Sequence, residues 1–360
     1  MTASLLSTWM PEGEPLSIRD EASVAVARQW VRQEGSRWGL PQSVVEAGAI
    51  IMSELAHNQL CHARRGLVQV RPISRDQVPG LEVVAADAGT GIADPTAALA
   101  GVRRSSGSLG IGLAGVQRLA DEVDFDVRQG EGTCVWARKF AAPVRPRPEI
   151  AVLGRPCGGE RCSGDQGIFL FAEGRLILCL VDGLGHGEQA RHAADLAVAA
   201  VRSQAAAANV PGTIQMLQGC RDTLRGTRGA VLALIQISES GDAECVCIGN
   251  INIHLYSGGQ TRLLPCQPGV VGLSRPRQPS RQQVSRMRLA AGDILVLSTD
   301  GVAGRPLLEA MPTAHRGQAL VLAHQILQQH GRTQDDALVL VARWPLPGAK
   351  PSWLGTRPPA

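Results

Sequence analysis

The stretch CLVDGLGHGEQARHAA, Cys179 to Ala194, leaves an apolar run, crosses glycines at 183, 185 and 187, and enters a segment of helical composition. Asp182 ends the apolar run, and His186 follows four residues later. The pattern reads as strand, Gly-rich turn and helix. Three roles suit such a turn: a phosphate cradle at a helix N-terminus, a carboxylate ligand for a metal ion, or plain closure of a strand.

Apolar runs like the one before Asp182 recur through the second half: AVLALIQI, ECVCIGNINIHLY, DILVLSTD and DALVLVARW. Their length and their Val, Ile and Leu content predict buried strands rather than helices. Two Ala-rich segments, Glu188 to Ala208 and Arg316 to His330, read as helices. Strands outnumber helices, so this half should be a sheet-on-sheet core with helices outside it.

Upstream, FAAPVRPRPEIAVLGRP, Phe140 to Pro156, has prolines at 143, 146, 148 and 156. They forbid regular helix and favour an extended connector. The chain therefore divides into a first domain over residues 1–141, a linker over 142–156 and a second domain over 157–344. A Pro- and Gly-rich tail over 345–360 should be loosely ordered.

The first domain reads as a mixed α/β layer fold. PQSVVEAGAIIMSELAHNQLCHA has the apolar spacing of a long helix. Strand-like GLVQVRPI and GLEVVAADAGTGI follow, and GSLGIGLAGVQRLADEV is a glycine loop entering a helix. DFDVRQGEGTCVWARKF should close the domain as a hairpin turning at Gly130 to Gly132.

Composition narrows the function classes. With 360 residues, 44% apolar and 19% charged, the chain has material for two packed cores. Net charge is only +4 and aromatic content 3%, with no dense basic stripe, which argues against nucleic-acid binding. No apolar run approaches the roughly 18 to 20 residues needed to span a bilayer, and no signal segment opens the chain. A cytoplasmic location without membrane attachment is expected, and the nine cysteines, mostly inside apolar runs, are expected to be reduced core thiols. CGGERC, Cys157 to Cys162, has a spacing that could hold metal, but no second Cys/His pair with zinc-site spacing follows nearby.

Three pieces of the first domain carry chemistry. Glu54 and Asn58 lie four apart on the expected helix and so share a face. A carboxylate and an amide one turn apart suit orientation of a hydroxyl and coordination of Mg²⁺ on a triphosphate. DAGTG, Asp87 to Gly91, ends a strand, where the carboxylate can accept from an exocyclic amine while Gly89 and Gly91 admit a ring close to the backbone. SSGSLGIGLAGVQ spaces glycines at 107, 110, 112 and 115 before a helix, an arrangement of free N–H groups that favours an anion.

In this order, SELAHN, DAGTGI, GLAGVQRLADE and GEGT resemble the GHKL ATPases, specifically small switch kinases of the RsbT type, over about Leu16 to Lys139. The resemblance implies a GHKL (Bergerat) α/β sandwich that binds ATP. It implies Glu54 as general base, Asn58 as Mg²⁺ ligand and Asp87 as adenine reader. The loop with Gly107, Gly110 and Gly112 would form a lid over the phosphates. It also implies a serine kinase acting on STAS-domain proteins.

In the second domain, acids sit at the ends of separate apolar runs: Asp182, Asp300, and Asp335 with Asp336, while Asp165 precedes a strand pair. Strand ends in a sandwich share a rim, so these carboxylates can converge. Convergence of like charges is tolerated when a hard divalent cation neutralises them. Two Mg²⁺ or Mn²⁺ ions there would suit phosphoester hydrolysis.

The pieces SGD, VDGLGHG, IGN, STDG and DDALVLV resemble the SpoIIE-type branch of metal-dependent serine/threonine phosphatases, most of all its short RsbX-like members. This implies a metal-dependent phosphatase β-sandwich flanked by helices. Asp182 would bridge both metals, the Gly183 carbonyl would ligate one, and Asp300 and Asp335 would complete the site, with Asp336 the alternative to Asp335. Asp165 would act through water or at a further metal position. Relatives outside this branch place a histidine two residues after the bridging aspartate; here Leu184 stands there and His186 comes two later. The two resemblances together imply a fused kinase and phosphatase of a partner-switching system, acting on STAS-domain proteins and touching a sigma factor or anti-sigma kinase indirectly. The alternative is an ATP-binding module that docks a STAS protein or sigma factor and regulates one active phosphatase.

Overall fold

The computed structural model describes residues 5–63, 66–101, 112–273, 283–303 and 317–345. The chain forms two compact units, one built mainly from Ala3–Ala151 and the other mainly from Val152–His315 with Leu322–Leu346.

The first unit opens with α1 (Leu5–Trp9), β1 (Leu16–Ile18) and α2 (Glu21–Arg37), followed by α3 (Gln42–His62). β2 (Gly66–Arg75) and β3 (Val78–Asp87) form an antiparallel hairpin. Short α4 (Pro95–Ala100) and α5 (Gly112–Leu119) precede the second hairpin, β4 (Glu122–Arg128) and β5 (Gly132–Phe140). The strands lie in the order β1, β2, β3, β5, β4. Asp20 caps α2 by accepting the Ser23 N–H at 2.8 Å. This helix was not foreseen, although Val24, Ala27 and Val31, all buried, recur at helical spacing.

α3 carries the apolar face that covers the sheet. Val44, Val45, Ile51, Met52 and Leu55 are buried. Gly48 lets the helix close on the sheet, since a Cβ there would stand 2.8 Å from the Leu81 side chain. Near its end, Gln59 Nε2 donates to the carbonyls of Leu67 and Ala86, both at 3.1 Å, pinning the last turn of α3 to the ends of β2 and β3. On the sheet, Glu82, Asp124, Arg138 and Arg147 form a buried ion network, with Arg138 2.6 Å from Glu82 and 2.7 Å from Asp124. Burial would push Glu122 up, but Arg147, Arg75 and Arg138 outweigh it and hold its carboxyl at about 2.

The second unit has two sheets. One runs in the order β6 (Glu149–Arg155), β15 (Ala337–Arg343), β14 (Ile294–Ser298), β11 (Asn252–Ser257), β12 (Gln260–Leu263). The other runs β13 (Ser285–Arg288), β10 (Asp242–Ile248), β9 (Ala230–Ser238), β8 (Arg175–Gly183), β7 (Asp165–Ala172). Leu338 of β15 reaches Gly167 of β7, whose missing side chain leaves room for Leu338, Val152 and Leu180. Outside the second sheet lie α6 (Glu188–Ala205) and α7 (Thr213–Thr223), which pack Ala193, Ala197, Val201, Met216 and Leu217 onto Cys179, Val181 and Leu232. α8 (Ala319–His330) completes the helices.

Two expectations need correction. The linker expected over 142–156 gives way at Glu149, where β6 begins; Pro148 is the last proline before a proline-free apolar run whose Ile150 to Leu153 are fully buried. The cysteines are not all reduced: Cys247 and Cys266 form a disulfide, because the bridge between Ile248 and Gln267 sets their Cα atoms 4.6 Å apart. α7 was not foreseen either; it is short, and its buried face is only Thr213, Met216, Leu217 and Cys220. The tail expected over 345–360 lies outside the described residues beyond its first residue, Pro345.

Candidate functional site

In the first unit, Glu54 and Asn58 stand one turn apart on α3, both half-buried. Glu54 Oε2 accepts the Gly112 N–H at 2.9 Å, so the first residue of α5 is tied to the middle of α3. Gly112 has φ +46°, a left-handed conformation that favours glycine at this turn. Asp87 ends β3, and its Oδ1 accepts the Gly89 N–H at 2.8 Å. Burial raises the Asp87 carboxyl above its usual range, offset in part by N–H groups of Gly89 and Thr133.

The glycines near Asp87 are required by close packing. A Cβ on Gly89 would lie 2.8 Å from the His62 carbonyl, and one on Gly132 would lie 2.1 Å from the Asp87 carbonyl. Gly91 has φ +80°. Thr133 is the register partner of Asp87; its motif, GEGT, was visible, but the cross-strand pairing that gives it a role was not. Gly107 and Gly110, with Arg103 and Arg104, lie outside the described residues.

In the second unit the antiparallel register of β7 and β8 sets Asp165 directly opposite Asp182. Asp300 follows β14 and Asp335 precedes β15, at the same ends of their strands because Ser298 pairs with Val339. The carboxyls of Asp182 and Asp300 share a hydrogen bond. Asn250 Nδ2 donates to Asp300 Oδ2 at 2.7 Å.

The electrostatics of this cluster are those of unneutralised acids. Burial, then the charges of Asp300, Asp335 and Asp336, push Asp182 up to about 7. Burial and Asp182 also raise Asp165, and burial with Asp335 raises Asp300. A set of oxygen donors in this state fits a hard divalent cation, which would replace the shared protons.

Asp336 is committed elsewhere. It is buried, its Oδ1 accepts the Cys157 N–H and its Oδ2 the Gly164 N–H, each at 2.7 Å. Asp335, half-buried, is the adjacent acid whose charge reaches Asp182 and Asp300 most strongly. At Gly183 a Cβ would stand 2.1 Å from the Ala190 carbonyl, so only glycine lets the start of α6 fold back over the end of β8. Thr299, fully buried, donates to Asp165 Oδ2 at 2.7 Å and accepts the Leu338 N–H at 3.0 Å. Neither Thr299 nor Asn250 was singled out from sequence, although both sit in the motifs STDG and IGN. His186 pairs with Glu160: its Nδ1 lies 2.7 Å from Glu160 Oε1, and its side chain is mostly exposed.

Residues 18–139 match the histidine kinase-like ATPase domain family, and residues 172–345 match the family described as Stage II sporulation protein E (SpoIIE). The serine/threonine-protein kinase RsbT of Bacillus subtilis (strain 168) is 32% identical over 123 residues, which are 34% of this chain and 92% of RsbT. Among solved structures, one described as "The bacterial stressosome: a modular system that has been adapted to control secondary messenger signaling" is 30% identical. It covers 55% of this chain and 100% of its own, with a TM-score of 0.50. A crystal structure of RsbX in complex with magnesium is 18% identical over 56% of this chain and 97% of its own, with a TM-score of 0.48.

The chain thus joins a domain of the histidine kinase-like ATPase type to a domain of the SpoIIE type. Through the first of these the chain belongs to the RsbT family. Among the described residues no helix is long and apolar enough to cross a membrane.

Proposed function

We propose that the protein is a bifunctional partner-switching regulator. Its first domain is an ATP-dependent serine kinase, and its second a metal-dependent phosphatase of phosphoserine or phosphothreonine, both acting on STAS-domain proteins. The observation that carries this reading is the meeting of buried Asp165 with half-buried Asp182, Asp300 and Asp335 from four strand ends in one cluster. STAS proteins follow from the likeness to RsbT and to a stressosome structure.

Asp182 would bridge two Mg²⁺ or Mn²⁺ ions, Asp300 and Asp335 would each hold one, and the Gly183 carbonyl would add a ligand, with Asp165 at a further position or acting through water. Bound there, divalent cations supply neutralising charge to a phosphoryl group and acidify a water molecule. Thr299 fixes the rotamer of Asp165, and Asn250 fixes that of Asp300. In the first domain, Glu54 would take the proton of the attacking serine, Asn58 would hold Mg²⁺ on ATP, and Asp87 with Gly89 and Gly91 would receive adenine. Gly107, Gly110 and Gly112 would close over the phosphates.

The test is incubation of the purified chain with labelled ATP and candidate STAS proteins, then with the phosphorylated partner and Mn²⁺. Label transfer and metal-dependent phosphate release are expected. Absence of both overturns the reading. A second reading, in which the first domain only binds ATP and docks a partner or sigma factor, draws support from the engagement of Glu54 by the Gly112 N–H. Transfer absent with phosphate release intact would favour it.

A further inference from the structure

The sequence pairs Cys157 with Cys162 at a spacing that could hold metal, but supplies no second Cys/His pair nearby. The fold supplies a metal partner from elsewhere. Cys157, Glu160 and His186 offer one ligand atom each, all within 4.8 Å of one another. Cys157 and Glu160 are the ends of a turn through Gly158 and Gly159, closed by the Glu160 N–H donating to the Cys157 carbonyl at 3.2 Å. Such a turn places the first and fourth side chains on one side. Gly159 has φ +95°, which suits this turn to glycine.

His186 arrives from the loop between β8 and α6. Its neighbour Gly187 has φ +74°, and a Cβ there would stand 3.0 Å from Glu160 Oε2, so the glycine makes room for the carboxylate. The turn itself is anchored: Cys157 N–H donates to Asp336 Oδ1 at 2.7 Å, and Gly158 N–H to the Thr333 carbonyl at 3.0 Å.

We propose that Cys157, Glu160 and His186 form a second metal site, selective for Zn²⁺ and distinct from the all-oxygen aspartate cluster. A thiolate, an imidazole and a carboxylate are the donor set of a borderline cation, with three protein ligands and an open fourth position, whereas Mg²⁺ favours oxygen alone. On binding, Cys157 gives its proton to solvent, and the proton between His186 Nδ1 and Glu160, displaced by the cation, passes to solvent or to His186 Nε2. The bound ion cross-links the turn before β7 to the loop that follows Gly183, so it braces the backbone on which the aspartate cluster is built.

The experiment uses the full chain with the Cys247–Cys266 disulfide intact, freed of metal by chelation and then held in excess Mg²⁺ to occupy the aspartates. Co²⁺ alone is titrated in and followed by absorption. The wild type should develop a thiolate-to-cobalt charge-transfer band and intense tetrahedral d–d bands that saturate at a single equivalent and are displaced by Zn²⁺. Cys157→Ser and His186→Ala should each lose the thiolate signal at that cobalt concentration, and Asp182→Asn should keep it. His186 is mostly exposed, so if Cys157→Ser fails to fold by circular dichroism, His186→Ala decides. No thiolate band in the wild type, a band that survives His186→Ala, or one abolished by Asp182→Asn overturns the proposal.

Discussion

The Thr299 hydroxyl donates to Asp165 Oδ2 at 2.7 Å while accepting the Leu338 N–H at 3.0 Å. One buried hydroxyl thus ties a carboxylate on β7 to the backbone of β15, in the other sheet. Thr299→Val keeps the shape but removes the hydroxyl's bonds to the Asp165 carboxylate and the Leu338 N–H, each at a cost of about 1–3 kcal/mol. Loss of the orienting bond should also lower Mn²⁺ affinity or phosphatase rate by roughly 10–100-fold. Denaturant melts and metal titrations check the two effects, and Thr299→Ser should rescue both.

Asp335 and Asp336 separate by their partners. Asp336→Asn replaces one of two oxygens that each accept a backbone N–H at 2.7 Å with a donor. It should therefore destabilise the second domain by about 1–3 kcal/mol. Asp335→Asn, at a half-buried position, should leave stability nearly unchanged without metal and weaken Mn²⁺ binding. Calorimetric titration and thermal melts on both variants read the contrast; equal effects would contradict it.

Glu54→Gln retains an acceptor for the Gly112 N–H, now 2.9 Å from the carboxylate, while removing the base. Transfer from ATP to a STAS partner should fall by roughly 10²–10⁴-fold. Nucleotide affinity, measured with a fluorescent ATP analogue, should change little. A variant with unaltered transfer would show that Glu54 is not the base.

Gly183→Ala tests how the start of α6 is held. Its Cβ would fall 2.1 Å from a backbone carbonyl, that of Ala190, which no side-chain rotation relieves. A loss of about 1–3 kcal/mol is expected from overpacking, with phosphate release falling as the loop after Asp182 shifts. Gly212→Ala, where the added Cβ would meet nothing within 4 Å, is the control and should melt like the wild type.

Much of this was legible in the chain because strand ends share a rim: acids terminating separate apolar runs had to meet once the sandwich formed. The helix periodicity of α3 likewise put Glu54 and Asn58 on one face. Contacts between residues far apart in sequence were not legible. Thr299 reaches Asp165 across 134 positions, and nothing local to either announces the bond. The disulfide depends on a single bridge, Ile248 to Gln267, outside any named strand pairing. The prolines at 143, 146, 148 and 156 mask a strand because they flank it: three precede Glu149, and only Pro156 follows the apolar run of β6.

The last prediction concerns pH. In the absence of metal, burial and then the charges of Asp300, Asp335 and Asp336 hold the Asp182 carboxyl at about 7, against 3.8 for an unperturbed aspartate. Between these values the folded chain keeps a proton that the unfolded chain has lost, so stability falls as pH rises. The contribution is whole below the unfolded value and gone above the folded one. Asp165 and Asp300, both raised, act in the same direction. The metal-free second domain should therefore melt at progressively lower temperature from about pH 4 to about pH 7. Mn²⁺ competes with those protons, so it should bind more tightly at the upper end and abolish the slope. Scanning calorimetry of the whole chain with and without Mn²⁺ measures both trends. Asp182→Asn, which removes one of the three raised carboxyls and its charge from the other two, should make the metal-free profile shallower and lose the Mn²⁺ response.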